Sequence, residues 1–391
     1  MNSKNTYFEK SLYCALYFFY YWSIGTYNAF IYLYFKNIGF NSQQIGLIAG
    51  VIPFIAIISQ FFWGLIADKI NKKNLLIFLL NFIVALFTLF YLLTTNFNLI
   101  LFITIIFFFF NSAIGPLTDS ATLSFLEVDS HSFGKYRLWG SLSFCFATYI
   151  TGILSEKFNL SVIFYEYSLA IFILAFLSLK IKIKKIITSI DFHFEEYSIN
   201  LSSLLSQITE LLFTKKLILF WLGNLFLFIT INANFVRYSL LWSDLGGNNS
   251  LMGLSWTIGA IFEIPLFFIS YKFLNYKNSI FILAFSAFIA SIRWFIFYSA
   301  SSYWTLLFFQ PLHSVIFALS TAAGIYYINY IASEKIKYSA QSLLNIINYG
   351  IAAIIGNMLA GFTYSTANSG AIYFPLTILS LIATFLFLFI K

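Results

Sequence analysis

Six ionisable side chains lie inside long apolar runs of this sequence, where a charge is costly and marks a candidate functional site. Two are acids, three are arginines and one is a histidine: Asp119, Arg137, Arg237, Glu263, Arg293 and His313. The histidine has no Cys or carboxylate at metal-ligand spacing, so the pattern does not favour a metal site. The set is suited to proton transfer and charge pairing.

Glu263 is the sharpest candidate, because it lies in the middle of an apolar run with Pro265 following and no basic residue nearby in sequence. A carboxyl in that setting can hold a proton until a cation approaches. Arg293, near the middle of the next run, is the candidate cation. We predict that Glu263 alternates between a protonated and an Arg293-paired form, which would couple proton entry to substrate movement. A static ion pair is the alternative.

The elements that position these residues follow from composition. Of 391 residues, 60% are hydrophobic and 9% are charged, whereas a soluble domain carries ~25% charged residues. The composition excludes a soluble enzyme, a nucleic-acid binder and a disordered chain. A membrane-spanning helix uses ~20 apolar residues, so the chain can supply roughly a dozen spans. Cys14 and Cys145 lie in apolar runs and are expected as small buried side chains.

Apolar stretches of spanning length recur along the whole chain and lack the alternation of barrel strands, which predicts an all-α membrane protein. Twelve transmembrane helices are expected, so both termini lie on one side. The predicted spans are 11–35, 43–67, 75–94, 98–125, 136–156, 162–182, 217–243, 250–270, 278–299, 303–332, 338–362 and 370–390.

The basic residues set the orientation. Of 22 Lys and Arg residues, all but Lys36, Lys157, Arg237 and Arg293 fall in the loops and ends of one side, a bias of 18 to 2. By the positive-inside rule both termini are cytoplasmic. The net charge of +8 therefore orients the chain and contacts anionic headgroups, and it does not indicate a nucleic-acid partner. We predict a multi-pass protein of the plasma membrane (the cytoplasmic or inner membrane).

The longest polar break suggests two halves. We predict an N-terminal six-helix half at 1–182, a cytoplasmic linker at 183–216 and a C-terminal six-helix half at 217–391. Within the linker, apolar residues between 201 and 212 recur at helical spacing. This pattern predicts an amphipathic helix on the membrane face.

Two similar loops support an internal repeat. Residues 38–47 read IGFNSQQIGL and residues 245–254 read LGGNNSLMGL, and both glycines of the first match glycines of the second. Each loop follows the first span of its half. Parallel six-span repeats are typical of secondary transporters, whose substrate site lies between the halves.

The loop between the second and third spans, residues 64–74, reads GLIADKINKKN. It resembles the signature loop of the major facilitator superfamily, which implies the major facilitator fold and a role for this loop in gating. We expect Gly64 to permit close helix contact, and Asp68 to pair with a basic group or cap a neighbouring helix. The basic residues expected in the headgroup zone are Lys69, Lys72 and Lys73.

A second resemblance narrows the family. Residues 115–119, GPLTD, and 134–140, GKYRLWG, resemble the phenylpropionate permease family, which is related to the lactose permease type of proton symporter. The resemblance implies that Asp119 and Arg137 bind substrate. A gate or a clamp between helices is the alternative for this pair.

The same resemblance implies that Arg293 and His313 belong to the proton-coupling site. Glu263, which lies about one turn beyond the position of the lactose permease acid, is predicted to act in proton coupling and in substrate binding. The sequence departs from the lactose permease pattern where Ile316 replaces a glutamate. Phe144 replaces a sugar-packing tryptophan and is expected in the substrate site. These changes put a galactoside substrate in doubt and leave proton coupling in place.

The charges within the spans indicate the substrate. Asp119, Arg137, Glu263, Arg293 and Arg237 sum to +1 with His313 neutral. A net-positive cavity rich in aromatic residues favours an aromatic carboxylate, such as a phenylpropionate-like acid. Arg237 decides the sign, because it can instead extend outwards to solvent. If Arg237 is left out, the cavity is neutral, and an oligosaccharide or a nucleoside remains a candidate substrate. Glu166, near the end of its span, is expected to be solvated.

Other classes of protein fit less well. The sequence has no phosphate-binding glycine loop and only three widely separated histidines, so we predict neither an enzyme nor an ATP-driven pump, and no cofactor. A channel and a transporter-derived sensor remain alternatives. We predict a monomeric secondary transporter whose partners are a small-molecule substrate, a proton and the lipid bilayer.

Overall fold

The computed structural model describes residues 3–70, 72–126, 133–181, 214–333, 336–362 and 370–390. Throughout these ranges the chain is helical and contains no strand, and ten of the helices are long and apolar enough to cross a membrane. The predicted all-α membrane class is therefore confirmed. The count of twelve spans and the cytoplasmic termini stay predictions. The predicted amphipathic linker helix lies outside the described residues.

The chain divides into two compact units. The first unit comprises residues 1–186 together with 247–260, and the second comprises residues 187–246 together with 261–391. The predicted division into halves and linker stays a prediction. Residues 247–260, which that division assigns to the C-terminal half, group with the first unit.

Seven helices lie wholly in the first unit, and a 3-10 turn at Phe90–Leu93 follows the third. They are α1 (Ser3–Asn37), α2 (Ser42–Lys69), α3 (Lys73–Leu89), α4 (Phe97–Asn111), α5 (Ile114–Leu126), α6 (Phe133–Lys157) and α7 (Val162–Lys180).

The remaining helices belong to the second unit, except that α9 begins in the first. A π-helical turn at Ile346–Ile351 separates two of them. They are α8 (Lys215–Asp244), α9 (Asn249–Phe273), α10 (Tyr276–Tyr298), α11 (Tyr303–Phe308), α12 (Pro311–Ile331), α13 (Lys337–Asn345), α14 (Ala352–Phe362) and α15 (Tyr373–Leu388).

Local sequence explains where the helices begin and turn. The Asn41 side chain accepts from the Gln44 backbone N–H, and the Gln44 side chain accepts in return, so α2 starts at a capping box. Pro311 occupies the first turn of α12, where its missing N–H costs nothing. The two similar loops each turn at a glycine with positive φ, +94° at Gly39 and +77° at Gly246. Only glycine adopts that backbone without strain.

In the first unit, α1 packs along α6 and α7. Large tyrosines of α1 face glycines of its neighbours. A Cβ at Gly115 on α5 would lie 2.5 Å from the Tyr20 hydroxyl, and one at Gly140 on α6 would collide with the Tyr21 ring. These glycines let the helix backbones approach, as is usual between membrane helices.

The first part of α9 packs tightly against α6 within the first unit. A Cβ at Gly152 would lie 2.7 Å from the Asn249 carbonyl oxygen and 3.2 Å from the Gly253 Cα. The Thr148 and Thr257 hydroxyls lie 2.8 Å apart. One turn further along α6, the Glu156 carboxylate accepts the Ser250 backbone N–H at 2.9 Å, so it caps the start of α9.

In the second unit, α8 is the buried central helix, and α14 and α15 pack along it. A Cβ at Gly356 on α14 would collide with the Ile229 carbonyl oxygen of α8. The Asn232 amide of α8 donates to the Asn348 carbonyl oxygen at 3.0 Å. This bond satisfies a backbone oxygen in the π-helical turn, where the regular hydrogen-bond ladder is interrupted.

The contact of Gly152 with α9 gives a testable prediction for stability. We expect Gly152→Ala to destabilise the protein by about 1–3 kcal/mol, because the new methyl group must push two helix backbones apart. The measurement is the midpoint of thermal unfolding of the purified protein in detergent.

Gly134→Ala is the matched control on the same helix, because a Cβ at Gly134 meets no described atom within 4 Å. An equal midpoint for Gly152→Ala and Gly134→Ala would contradict the close packing of α6 on α9.

Candidate functional site

Three of the predicted residues form a continuous chain of contacts in the second unit. The Glu263 Oε1 on α9 lies 3.4 Å from the His313 Nε2 on α12. The His313 Nδ1 lies 3.3 Å from the Arg293 Nη1 on α10. The structure thus brings together three helices through one carboxylate, one imidazole and one guanidinium, and the histidine stands between the two charged groups.

The geometry indicates which nitrogen of His313 carries the proton. A guanidinium can only donate, so Nδ1 facing Arg293 must act as acceptor, and the ring proton is assigned to Nε2. The Nε2–H then points to the Glu263 carboxylate. A second proton on Nδ1 would place two donors against each other and would break the contact with Arg293.

Arg293 is fully buried, with an exposed fraction of 0%. Its Nη2 donates to the Gln310 Oε1 at 2.6 Å. The guanidinium carbon also lies 5.0 Å from the centre of the Trp294 ring and 4.8 Å from that of Phe297. These cation–π contacts stabilise a buried positive charge without neutralising it. Nε of Arg293 has no hydrogen-bond partner among the described residues.

The members of this chain of contacts differ in exposure. The Glu263 side chain is 22% exposed, whereas that of His313 is 6% exposed. Phe235 meets the His313 ring edge to face at 5.7 Å, and Phe317 stacks on it at 5.9 Å. Aromatic rings therefore enclose the imidazole, and Glu263 is more exposed than His313 and Arg293.

The arrangement bears on the predicted alternation of Glu263. The expected partner was Arg293, but the described contact of Glu263 is with His313, which in turn contacts Arg293. Any exchange between the acid and the arginine would therefore pass through the imidazole. The alternation itself stays a prediction.

The Arg237 side chain does not extend outwards to solvent, which was one alternative for it. Its exposed fraction is 1%, and its Nη2 lies 3.6 Å from the Asp244 Oδ2, which is 16% exposed. The two residues are seven positions apart on α8, two helical turns, and so share a face. Arg237 stays inside because an acid on its own helix balances its charge.

In the first unit, Asp119 and Arg137 are both half-buried and meet neighbouring tyrosines of α1. The Tyr17 hydroxyl donates to the Asp119 Oδ1 at 2.6 Å. The Arg137 guanidinium carbon lies 4.2 Å from the centre of the Tyr21 ring. The two rings, one turn apart, lie 6.5 Å from each other. The described contacts thus connect the acid and the base through a pair of tyrosines.

Phe144 is half-buried and packs against α1. A Cβ at Gly25 would lie 3.3 Å from the Phe144 Cδ2. Nothing in these contacts tests its predicted role, so the substrate-binding roles of Asp119, Arg137, Phe144 and Glu263 stay predictions.

The structure also corrects the expectation that Glu166 is solvated. The residue is half-buried, and its Oε2 accepts a hydrogen bond from the Thr151 hydroxyl. The Thr151 Oγ1 lies 3.3 Å from the Thr26 Oγ1. The start of α7 is covered here because α1 and α6 pack across it.

The predicted gating loop is placed between α2 and α3, with Asn71 outside the described residues. A Cβ at Gly64 would meet no described atom within 4 Å, so the expected close helix contact is not found there. Asp68 is exposed and has no hydrogen-bond or ion-pair partner among the described residues, and α3 begins without a side-chain cap. The basic residues of the loop, of which Lys73 is half-buried and the others are exposed, are Lys69, Lys72 and Lys73. The gating role stays a prediction.

Several residues of the site escaped the sequence reasoning. Gln310 was not singled out because it carries no charge. A polar residue directly before Pro311 in an apolar run could have indicated it. Tyr17 and Tyr21 are four residues apart and so share a helix face. Asp244 lies two turns after Arg237 on the same helix, which the spacing alone could have revealed.

The helices and the charges buried among them define a class, a multi-pass membrane transporter. The family described as "MFS_1 like family" matches residues 11–375, nearly the whole chain. The chain therefore belongs to the MFS_1-like family of major facilitator superfamily transporters, and it is not an enzyme.

Relatives agree over nearly the full length. The chain is 24% identical to the maltose permease of Geobacillus stearothermophilus over 97% of this chain and 94% of that protein. It is 26% identical to the probable 3-phenylpropionic acid transporter of Escherichia coli K12, over 95% of each chain. The crystal structure of the nucleoside transporter NupG has the same fold, with a TM-score of 0.78, 18% identity, and coverage of 97% of this chain and 98% of that chain.

The hydrogen bond from Arg293 to Gln310 gives a prediction for stability. We expect Gln310→Leu to destabilise the protein by about 1–3 kcal/mol, because a buried guanidinium N–H loses its acceptor. Thermal unfolding of the purified protein measures the effect. Gln60→Leu is the control, since Gln60 is exposed on α2. Equal midpoints for both variants would show that Gln310 does not hold Arg293.

The ion pair of Arg237 gives a second prediction, testable by a double-mutant cycle. We expect Asp244→Asn alone to destabilise the protein by about 1–3 kcal/mol, because the buried Arg237 guanidinium loses its carboxylate partner. Combining it with Arg237→Gln should recover part of that loss. Additive losses in thermal unfolding would mean that the two side chains do not interact.

Proposed function

We propose that the chain is a secondary active transporter that couples uptake of a small organic solute to entry of protons by alternating access. Glu263 takes up the proton, His313 connects it to Arg293, and Arg293 is the fixed positive charge that the protonation state of Glu263 is balanced against. The single observation that carries this proposal is the continuous contact chain from a partly exposed carboxylate to a fully buried guanidinium.

The chemistry of the chain supports a coupling role over a static one. A structural ion pair would place the carboxylate directly on the guanidinium, which gives the strongest bond. Here a neutral imidazole separates them, so Glu263 can gain a proton without leaving Arg293 stripped of its partners, Gln310 and two aromatic rings. The acid is thereby free to change charge during a cycle.

For the substrate, we propose a neutral polyhydroxylated solute, an oligosaccharide or a nucleoside. The preference for an aromatic carboxylate depended on Arg237 as an unbalanced positive charge. Asp244 now balances it. Within the second unit Arg237 and Arg293 are then matched by Asp244 and Glu263. The similarity to maltose permease is consistent with this choice.

An aromatic carboxylate is the second candidate. The similarity to the probable 3-phenylpropionic acid transporter over 95% of the chain favours it. Arg137 against the Tyr21 ring offers a cation beside an aromatic surface, which suits such an acid. In either case we propose that Asp119, Arg137 and Phe144 contact the substrate.

We also propose the finer architecture that the sequence predicts. It comprises twelve spans in two six-helix halves, both termini in the cytoplasm, a loop at 64–74 that acts in gating, and a monomer in the plasma membrane. The bias of 18 to 2 in lysines and arginines supports this orientation.

The proposed coupling predicts a split between two transport assays. We expect Glu263→Gln to abolish accumulation driven by a proton gradient, because an amide cannot exchange a proton. Exchange of labelled for unlabelled substrate at equal concentrations should continue, since it needs no net proton movement. Both are measured in proteoliposomes with the purified protein.

Glu9→Gln, which neutralises an acid at the start of α1, is the control and should leave both assays unchanged. Gradient-driven accumulation by Glu263→Gln equal to that of the unmodified protein would overturn the role of Glu263.

The charge of the substrate predicts an electrical signature. One proton entering with a neutral solute moves one positive charge inwards, whereas one proton entering with a carboxylate moves none. We therefore expect maltose or a nucleoside to evoke an inward current in proteoliposomes on a solid-supported membrane. Uptake of labelled 3-phenylpropionate without current, and no response to the neutral solutes, would replace the first substrate class by the second.

A further inference from the structure

We propose that Glu166 is a second proton-binding site of this protein, located in the first unit and separate from the set around Glu263. The observation behind it is a half-buried carboxyl group on α7 that accepts a hydrogen bond from the Thr151 hydroxyl of α6, which in turn contacts the Thr26 hydroxyl of α1. This inference goes beyond the proposed coupling, and its test does not need a transported substrate.

The geometry joins three helices at one point. Glu166 lies one turn inside the start of α7, Thr151 lies on α6 and Thr26 lies on α1. The Thr151 hydroxyl donates to the Glu166 Oε2, and its oxygen lies 3.3 Å from the Thr26 Oγ1. Both threonines are fully buried. The carboxyl therefore faces the interior of the unit at the junction of α1, α6 and α7.

The charge balance around Glu166 makes its carboxyl group responsive to protons. No cation contacts Glu166 in the described part of the chain, so an ionised carboxylate has only hydroxyl dipoles to replace its lost water. A carboxylate enclosed in this way is costly unless it is paired. Binding a proton removes that cost, and the neutral acid keeps its hydrogen bond to Thr151.

Neighbouring titratable groups do not compete with Glu166 for the proton. Tyr27 of α1 is in ring contact with Tyr167 of α7 itself, and the Tyr27 and Tyr91 hydroxyls lie 3.4 Å apart. The charged groups near this end of α6 are Glu156 and Lys157, and both are exposed to solvent. Glu156 is already engaged with the start of α9.

Protonation would also change the direction of the hydrogen bonds. The ionised carboxylate can only accept, so Thr151 must donate to it. The protonated carboxyl can donate as well, which frees the Thr151 hydroxyl to turn towards Thr26. A proton on Glu166 is thereby linked to the hydrogen bonding between α1, α6 and α7.

Infrared difference spectroscopy of the whole protein in lipid bilayers tests the proposal. As the pH is stepped across the range in which carboxyl groups titrate, a protonated carboxyl in an apolar setting gives its own C=O stretching band. We expect Glu166→Gln to lose one such band. Thr151→Val should keep it but move it to higher wavenumber, because the hydroxyl partner is gone. Glu156→Gln, the control acid on α6, should leave it unchanged.

The result that would overturn the proposal is a band pattern in Glu166→Gln identical to that of the unmodified protein. An unshifted band in Thr151→Val, a variant that retains the carboxyl, would overturn it equally. Glu263→Gln is measured in parallel and should remove a different band. Failure of the coupling role of Glu263 is thus distinguishable from failure of the Glu166 site.

Discussion

The interaction on which the rest of the structure depends is the accommodation of charge in helices that have almost no water around them. A buried charge is tolerated only where it is paired or held by dipoles and aromatic faces. Arg293 is held by Gln310, His313 and two rings, and Arg237 by Asp244. The contacts of Arg293 fix the rotation of α10 relative to α12, because the partners must face one another, whereas Arg237 and Asp244 pair within α8. The apolar side chains therefore pack around these buried charges.

Between those points, the approach of the helices depends on small residues facing large ones. Tyr20 and Tyr21 of α1 rest on Gly115 and Gly140, and Gly152 meets the backbone of α9. Since lipid tails are as apolar as the side chains, such close packing replaces the hydrophobic effect as a source of stability. It also brings Tyr17 and Tyr21 to Asp119 and Arg137, so the packing of α1 and the position of the first unit's charged residues are one arrangement.

The sequence predicted the helical membrane class and the superfamily because both depend on local signals, namely apolar length and a signature loop. It also located Glu263, Arg293 and His313, since a charge in an apolar run stands out. It did not reveal Gln310, whose amide is an ordinary polar group until a guanidinium approaches it. Glu166 was misplaced in solvent because its partners, Thr26 and Thr151, come from helices far away in sequence. Contacts between residues of different helices depend on how those helices pack, and sequence spacing does not show that packing.

The π-helical turn at Ile346–Ile351 has a consequence for the length of the chain. Such a turn corresponds to one residue inserted into an α-helix. Removing one residue there would restore regular pitch and rotate α14 by about 100° relative to α13. Gly356 would then leave the Ile229 carbonyl, and a bulkier side chain would face α8 in its place. The extra residue therefore determines which face of α14 meets α8. A single-residue deletion should be tolerated less well in this segment than in the loops.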